Sequence, residues 1–484
     1  MRLAPALLSL TILLGQPVGS AQARPAAAAK VRSQSPGYVA TLSHQRDGSW
    51  WLDYRFRRAA PAWYFLRSFP TLGGASWRTA SWRVETPGVT LARIGSYDVL
   101  RAERGHLRRV RIRVTPYDRS LKADYSPFLT FSDGGVAVFG GHYALVPLHA
   151  ADTAAHLPAD LNGVDVEMLP ATLAIRWPGQ PLLARGVRTQ GLARIDLRGE
   201  PGYVYAGPAR VRETPAYAGI IDPQLPGWIA EELDGLTPRM FALYAAKLGQ
   251  GATPRPMAMV AWGGGSEPGI SFGGSVLPGT VVMRIGGRQT VTSSAAIRTR
   301  LRWFFGHESA HFWLGQTVRY TRRAEAWITE GGADMLAIRA LEALVPGYDP
   351  RPELQREVDD CVKMAGAGKP LSGAAARGDV RTNYACGATL LIAVEGARRE
   401  RDAGADLFGW MRAFIDAHRA EGHVSQADWL AAFDAAVADP AARASVRRFL
   451  DEGVPDPAAF VDALFAACGV AHRREGDRIL LGNA

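Results

Sequence analysis

Two histidines four residues apart, in His307-Glu308-Ser309-Ala310-His311, are followed after eighteen further residues by Glu330, within Trp327-Ile328-Thr329-Glu330-Gly331-Gly332. Few folds accommodate this pattern, because it asks for one helix that turns both imidazoles to the same side and a second that brings a carboxylate to them. With both rings on one face, a single metal ion can take His307 and His311 while Glu308 leans over the same point. Catalytic zinc takes three protein ligands and leaves a fourth position open, and Glu330 supplies the ligand that a histidine pair lacks. One Zn2+ is therefore expected on His307, His311 and Glu330, with Glu308 as the general base for the water that the metal activates. An isolated histidine pair reads more simply as core or surface; the two glutamates change that reading. Asp334 lies one turn after Glu330 on the same face, placed either to accept the free ring N–H of a ligand histidine or to be a solvated acid.

The flanking sequence supplies the helices. Ile297, Leu301, Phe304 and Phe305 form an apolar face that runs directly into His307, with Ser293 or Ser294 as its cap. From about Ala324 to Leu344, Met335, Leu336, Ile338 and Leu341 turn the segment around Glu330 inward. Upstream, Gly227 to Leu248 reads as a helix, and Met257 to Trp262 and Val281 to Ile285 read as strands separated by the Gly-rich segment Gly263 to Gly279. Between Gly37 and about Pro215 short alternating runs such as Trp50 to Phe56, Thr172 to Trp177 and Leu192 to Leu197 are punctuated by Gly, Pro and Asp, the pattern of a β-sandwich. Beyond Pro352 alanine-rich helical patterns dominate, with Trp410, Phe414, Trp429, Phe433 and Phe449 as core.

A chain of 484 residues exceeds one core. The first 23 residues read as a secretory signal peptide, with Arg2, an apolar run from Leu3 to Leu14, and Ala21-Gln22-Ala23 ahead of Arg24-Pro25. That run is far short of a bilayer span, so export to a periplasm or the medium is expected, without stable membrane insertion. Residues 24–36 then form a linker, 37–220 a β-rich domain, and 221–484 a second, mainly helical domain with the metal motif. The net charge of +10 is spread along the chain with no basic helix or zinc-finger spacing, so no nucleic-acid partner is expected. Arg108 to Val114 alternates as a strand with one wet, charged face. Three cysteines, Cys361, Cys386 and Cys468, allow three pairings, of which Cys361 with Cys386 closes the shortest loop.

The run His307 to Gly315, with Ala326-Trp327-Ile328-Thr329-Glu330-Gly331, is similar to the M1 family of zinc metallopeptidases, which share the gluzincin clan with thermolysin. Asn383-Tyr384-Ala385-Cys386-Gly387-Ala388 resembles the family segment that opens on the transition-state tyrosine. The resemblance covers roughly Pro226 to Ile392 and implies a multidomain α+β chain, with a β-sandwich-like N-terminal domain followed by a thermolysin-like, mainly helical zinc peptidase domain. It implies zinc ligands His307, His311 and Glu330, base Glu308, and Tyr384 donating to the oxyanion. Two departures stand out. Where M1 aminopeptidases carry Gly-x-Met-Glu-Asn, whose Glu holds the substrate amino group, this chain reads Ile270-Ser271-Phe272-Gly273-Gly274-Ser275-Val276; the acid is absent, and Glu267 is the nearest replacement. Gly273 and Gly274 can still let a peptide lie along an edge strand. The lysine usual before the glycine of the tyrosine segment is Cys386.

The expected function is that of an exported zinc peptidase, as aminopeptidase or endopeptidase; glycyl aminopeptidases of family M61 share the motif, but Phe312-Trp313-Leu314-Gly315 continues as in M1. The competing reading is a catalytically silent peptide-binding or scaffold protein of the cell envelope. Glu308 speaks against it, since a site without turnover needs no base. A binder of anionic polymer would rest on basicity alone.

Overall fold

The computed structural model describes residues 36–482, apart from 123, 151–152, 160, 162–163, 165, 200, 215–216 and 254. The expected signal peptide and nearly all of the linker lie outside the described residues. The chain forms two compact units, one drawn from Met1–Gly227 with Arg255–Thr292 and the other from Trp228–Pro254 with Ser293–Ala484.

Alternation builds the first unit. In the strand Leu107–Val114, Val110, Ile112 and Val114 are buried while Arg108, Arg109, Arg111 and Arg113 are exposed, so one face joins the core and the other stays wet. Among the described residues this strand belongs to a nine-stranded sheet ordered Trp82–Val84, Leu107–Val114, Trp50–Ala60, Tyr38–His44, Ala171–Ala184, Tyr203–Ala206, Val136–Phe139, Phe128–Thr130, with Val187–Asp196 also paired to Ala171–Ala184. A second sheet of four strands runs Leu145–Leu148, Ala62–Phe65, Tyr97–Ala102, Val89–Ile94. Leu52, Tyr54 and Phe56 of the larger sheet share one apolar cluster with Trp63, Phe65 and Leu100 of the smaller.

A third, five-stranded sheet crosses the composition shift near residue 220. Its order is Arg212–Glu213, Ala218–Ile221, Met257–Trp262, Thr280–Gly286, Ser271–Leu277. Ala218 to Ile221 pairs in parallel with Met257 to Val260, and Tyr203 and Tyr205 pack with Met257, Met259 and Val282. Backbone ladder and apolar contacts therefore group residues 255–292 with the first unit, although composition changes at 220. The Gly-rich segment contains the edge strand Ser271–Leu277, antiparallel to Thr280–Gly286, with Gly273 opposite Arg284 and Gly274 opposite Met283.

Helices make the second unit. Gly227–Leu248, Ala295–Ala310, Ala326–Leu344, Arg351–Ala365 and Val380–Arg401 come first, then Leu407–His418, Gln426–Ala436, Pro440–Asp451 and Pro457–Ala467. Of the two cap candidates Ser294 is the one used, its hydroxyl accepting from the Ile297 N–H. A closing hairpin, His472–Glu475 with Arg478–Leu481, escaped the sequence reading because its strands are only four residues long and the first is largely exposed. Ala326–Leu344 and Val380–Arg401 cross at glycines: a Cβ on Gly331 would stand 2.3 Å from the Gly387 backbone, and one on Gly387 2.2 Å from the Trp327 carbonyl oxygen. Only the absence of a side chain lets these backbones approach so closely. Of the three open pairings, a disulfide forms between Cys361 and Cys386, tying Arg351–Ala365 to Val380–Arg401, while Cys468 is free and buried. No helix among the described residues is long and apolar enough to cross a membrane.

Candidate active site

His307 sits in the last turn of Ala295–Ala310 and His311 is its C-cap, so the i and i+4 spacing holds through the helix end. The two Nε2 atoms stand 3.1 Å apart. Glu330 Oε2 lies 3.5 Å from His307 Nε2 and 3.4 Å from His311 Nε2. The outer ring nitrogens are engaged: His307 Nδ1 donates to Asp334 Oδ1 at 2.7 Å and His311 Nδ1 donates to the Leu314 carbonyl at 2.8 Å. Carboxylate and carbonyl can only accept, so in the neutral rings both protons sit on Nδ1 and both Nε2 lone pairs face the same point.

Three electron-pair donors thus converge where no proton can satisfy them all. Glu330 Oε2 is buried and makes no hydrogen bond of good geometry. Two ligands about 2.05 Å from a tetrahedral zinc would be separated by about 3.3 Å, and the observed triangle has edges of that size. The donor set and its spacing fit a divalent metal of the zinc type. The site's electrostatics agree. Burial disfavours the charged His307 ring, yet the carboxylates of Asp334 and Glu330 outweigh it and push its pKa up to about 10. Glu330 moves the other way, held well below the usual carboxylate range by the two histidines against the cost of burial. A site so demanding of positive charge at its centre is made for a cation.

Glu308 and Tyr384 stand around this triangle. Glu308 is 5% exposed, and burial raises its pKa, with Glu330 and Asp334 adding to the rise and the histidines opposing it. Tyr384 is fully buried on Val380–Arg401, its ring stacked on His307 at 5.4 Å. Its hydroxyl makes no well-aligned hydrogen bond, and burial together with the nearby Glu330 charge keeps it protonated far above neutral pH.

Asp334 is fully buried and its Oδ1 accepts from His307 Nδ1. Its second oxygen accepts from Arg381 at 3.2 Å, and the same guanidinium holds Glu357 at 2.6 Å and Asp360 at 2.8 Å. Sequence reasoning missed Arg381. The available signal was an arginine one turn before Tyr384 on the same helix. Because Asp334 orients the His307 ring, Asp334→Ala is expected to weaken zinc binding by about 10- to 100-fold in a chelator competition. Unchanged affinity would leave Asp334 a purely structural acid.

Gly273 and Gly274 lie half-buried on the edge strand Ser271–Leu277 of the first unit, and Glu267 is exposed in the segment before it.

No known family model and no curated protein sequence matches the chain. Solved structures do. An aminopeptidase N family protein from Idiomarina loihiensis superposes with a TM-score of 0.58 at 12% identity, over 88% of this chain and 78% of that one. A two-domain M1 zinc metallopeptidase variant bound to L-tryptophan gives a TM-score of 0.50 at 16% identity, over 87% of this chain and 95% of that one. At these identities the likeness is one of fold: a mixed α+β chain with a large sheet and several helices, similar to two-domain M1 peptidases.

Proposed function

We propose that this chain is an exported zinc peptidase that hydrolyses peptide bonds. The observation that carries the reading is the triangle of His307 Nε2, His311 Nε2 and Glu330 Oε2, with a buried base and an unpaired buried hydroxyl beside it. Export is supported by the sequence from Arg2 to Ala23. We also infer a β-rich domain over residues 37–220 ahead of a thermolysin-like catalytic part over 221–484.

When bound by His307, His311 and Glu330, zinc supplies Lewis acidity that polarises a carbonyl and acidifies water. The remaining work falls to the chain. Glu308 takes the proton of the attacking water and returns it to the leaving nitrogen, a transfer helped by a pKa that burial has raised towards neutrality. Tyr384 donates its O–H to the substrate oxygen as negative charge gathers there. Asp334 and the Leu314 carbonyl keep the histidine protons on Nδ1. Tyr384→Phe is accordingly expected to lower kcat by about a hundredfold while zinc content stays at one ion per chain. A kcat within about twofold of wild type would remove Tyr384 from the mechanism.

The test is zinc content together with cleavage mapping by mass spectrometry on a mixed peptide library, half of it N-acetylated. Losses of single residues confined to free amino termini identify an aminopeptidase and call for an acid that holds the amino group. Cleavage of blocked peptides identifies an endopeptidase. Bound zinc without any cleavage overturns the reading in favour of a binding or scaffold protein.

A further inference from the structure

Most basic side chains around the metal helix are neutralised. Arg298 and Arg302 both hold Glu232, Arg351 holds Asp349, and Arg381 holds three acids. Arg300 and Arg356 differ, for neither makes a hydrogen bond or ion pair among the described residues. The acids within one turn of Arg356 are already engaged, Glu353 by the Tyr348 hydroxyl, Asp359 by Arg478, and Glu357 and Asp360 by Arg381.

These two arginines flank the face that carries the metal ligands. Arg300, Trp303 and His307 are spaced by three and four residues on Ala295–Ala310, so they line one side of that helix. The Trp303 ring lies 5.6 Å from the His307 ring, and the Arg356 guanidinium lies 5.8 Å over the Trp303 ring. Trp303 is only 6% exposed, and its indole N–H is buried without a partner. Arg300 is half-buried. Burial, and after it the Arg356 charge, lower its pKa, so two cations stand near one another.

The half-buried Arg300 charge and the orphaned Trp303 N–H are unfavourable in the free protein and are relieved by the same group. A guanidinium fork matches a carboxylate through two parallel N–H bonds, and an orphaned indole N–H gains from any oxygen acceptor. The distance is informative too. Seven helical residues from Arg300 to His307 correspond to about 10.5 Å, which an extended peptide covers in about three residues.

Resting on the reading of the metal site as a peptidase, we propose that Arg300, Trp303 and Arg356 form a carboxylate-binding subsite. The preferred substrates are then short peptides with a C-terminal carboxylate, or an Asp or Glu side chain, within two or three residues of the scissile bond.

The experiment uses zinc-loaded Glu308→Gln protein in titration calorimetry with trialanine, trialanine amide and Ala-Ala-Asp amide, alongside turnover of the same peptides by the wild type. Trialanine is expected to bind about tenfold or more tightly than its amide, and Arg300→Gln with Arg356→Gln to bring the two within about twofold at unchanged zinc content. Tight binding of Ala-Ala-Asp amide assigns the subsite to an acidic side chain; its failure beside tight trialanine assigns it to the chain terminus. Equal binding of all three peptides overturns the proposal. Should the double variant not fold, Arg356→Gln alone, on an exposed side chain, makes the same comparison. Carboxylate-selective binding without wild-type turnover keeps the subsite and removes the peptidase reading, whereas turnover without selectivity does the reverse.

Discussion

Glu308→Gln is expected to keep one zinc per chain and to lose about a thousandfold in turnover. The substitution preserves shape and the polar end of the side chain, and Glu308 is not one of the three converging donors, so the metal site should be left whole. What disappears is the capacity to accept a proton. Glu308 lies on the same helix as both histidines, is 5% exposed, and has its pKa raised by burial, which places a carboxylate base nearer to neutral pH than one in water. A water chain or Asp334 cannot easily take over, since Asp334 is fully buried and committed to His307 and Arg381. Zinc by atomic absorption and turnover by peptide mass spectrometry give the two readings. Wild-type turnover in this variant would show that the proton moves elsewhere.

Gly387→Ala is expected to destabilise the second unit by about 3 kcal/mol in urea unfolding, and Gly331→Ala by a similar amount. On an open helix surface the same change is favourable, because alanine has the better helical propensity by about 1 kcal/mol. Here the added carbon meets backbone atoms at 2.2–2.3 Å, and backbone cannot rotate aside as a side chain can. The two helices must separate, and they carry Glu330 and Tyr384 on the turns adjoining the contact. Zinc affinity should therefore fall together with stability. Gly235, in the helix Gly227–Leu248, has no atom within 4 Å of the point where a Cβ would stand, and it provides the control, since Gly235→Ala is expected to be neutral or mildly stabilising. Equal effects at Gly235 and Gly387 would mean that crowding at the crossing is not what the glycine relieves.

Where the sequence was informative, a short-range period carried the information. The helix Gly227–Leu248 matches its apolar pattern end to end, and the Arg108 to Val114 alternation returns as a strand with its arginines outward. The His307, His311 and Glu330 motif is equally local, since each half is fixed by one helix, and the structure brings those three donors together. What period cannot convey is which helices meet. Arg381 binding Asp334, Glu357 and Asp360 is a contact between three helices, and nothing in the spacing of those residues announces it. The same holds for Arg356 above Trp303. The edge-strand reading of Gly273 and Gly274 gave no bounds for Ser271–Leu277, because glycines have no side chains with which to mark an inner and an outer face.

Cys468 bears on how such a chain reaches its native state under oxidising conditions. In the folded protein its thiol is buried at the end of Pro457–Ala467 and pushed up to about 12, chiefly by burial, so almost none of it is the thiolate that attacks disulfides. The native pairing is thereby insulated from its own third cysteine. Before folding, that insulation does not exist, and two of the three pairings involve Cys468. Correct oxidation then depends on timing: the C-terminal helix has to pack Cys468 away before the oxidant closes a bond to it, or an isomerase has to reopen the wrong bond afterwards. Yield in an oxidising compartment becomes a race between helix docking and thiol chemistry, decided far from the metal.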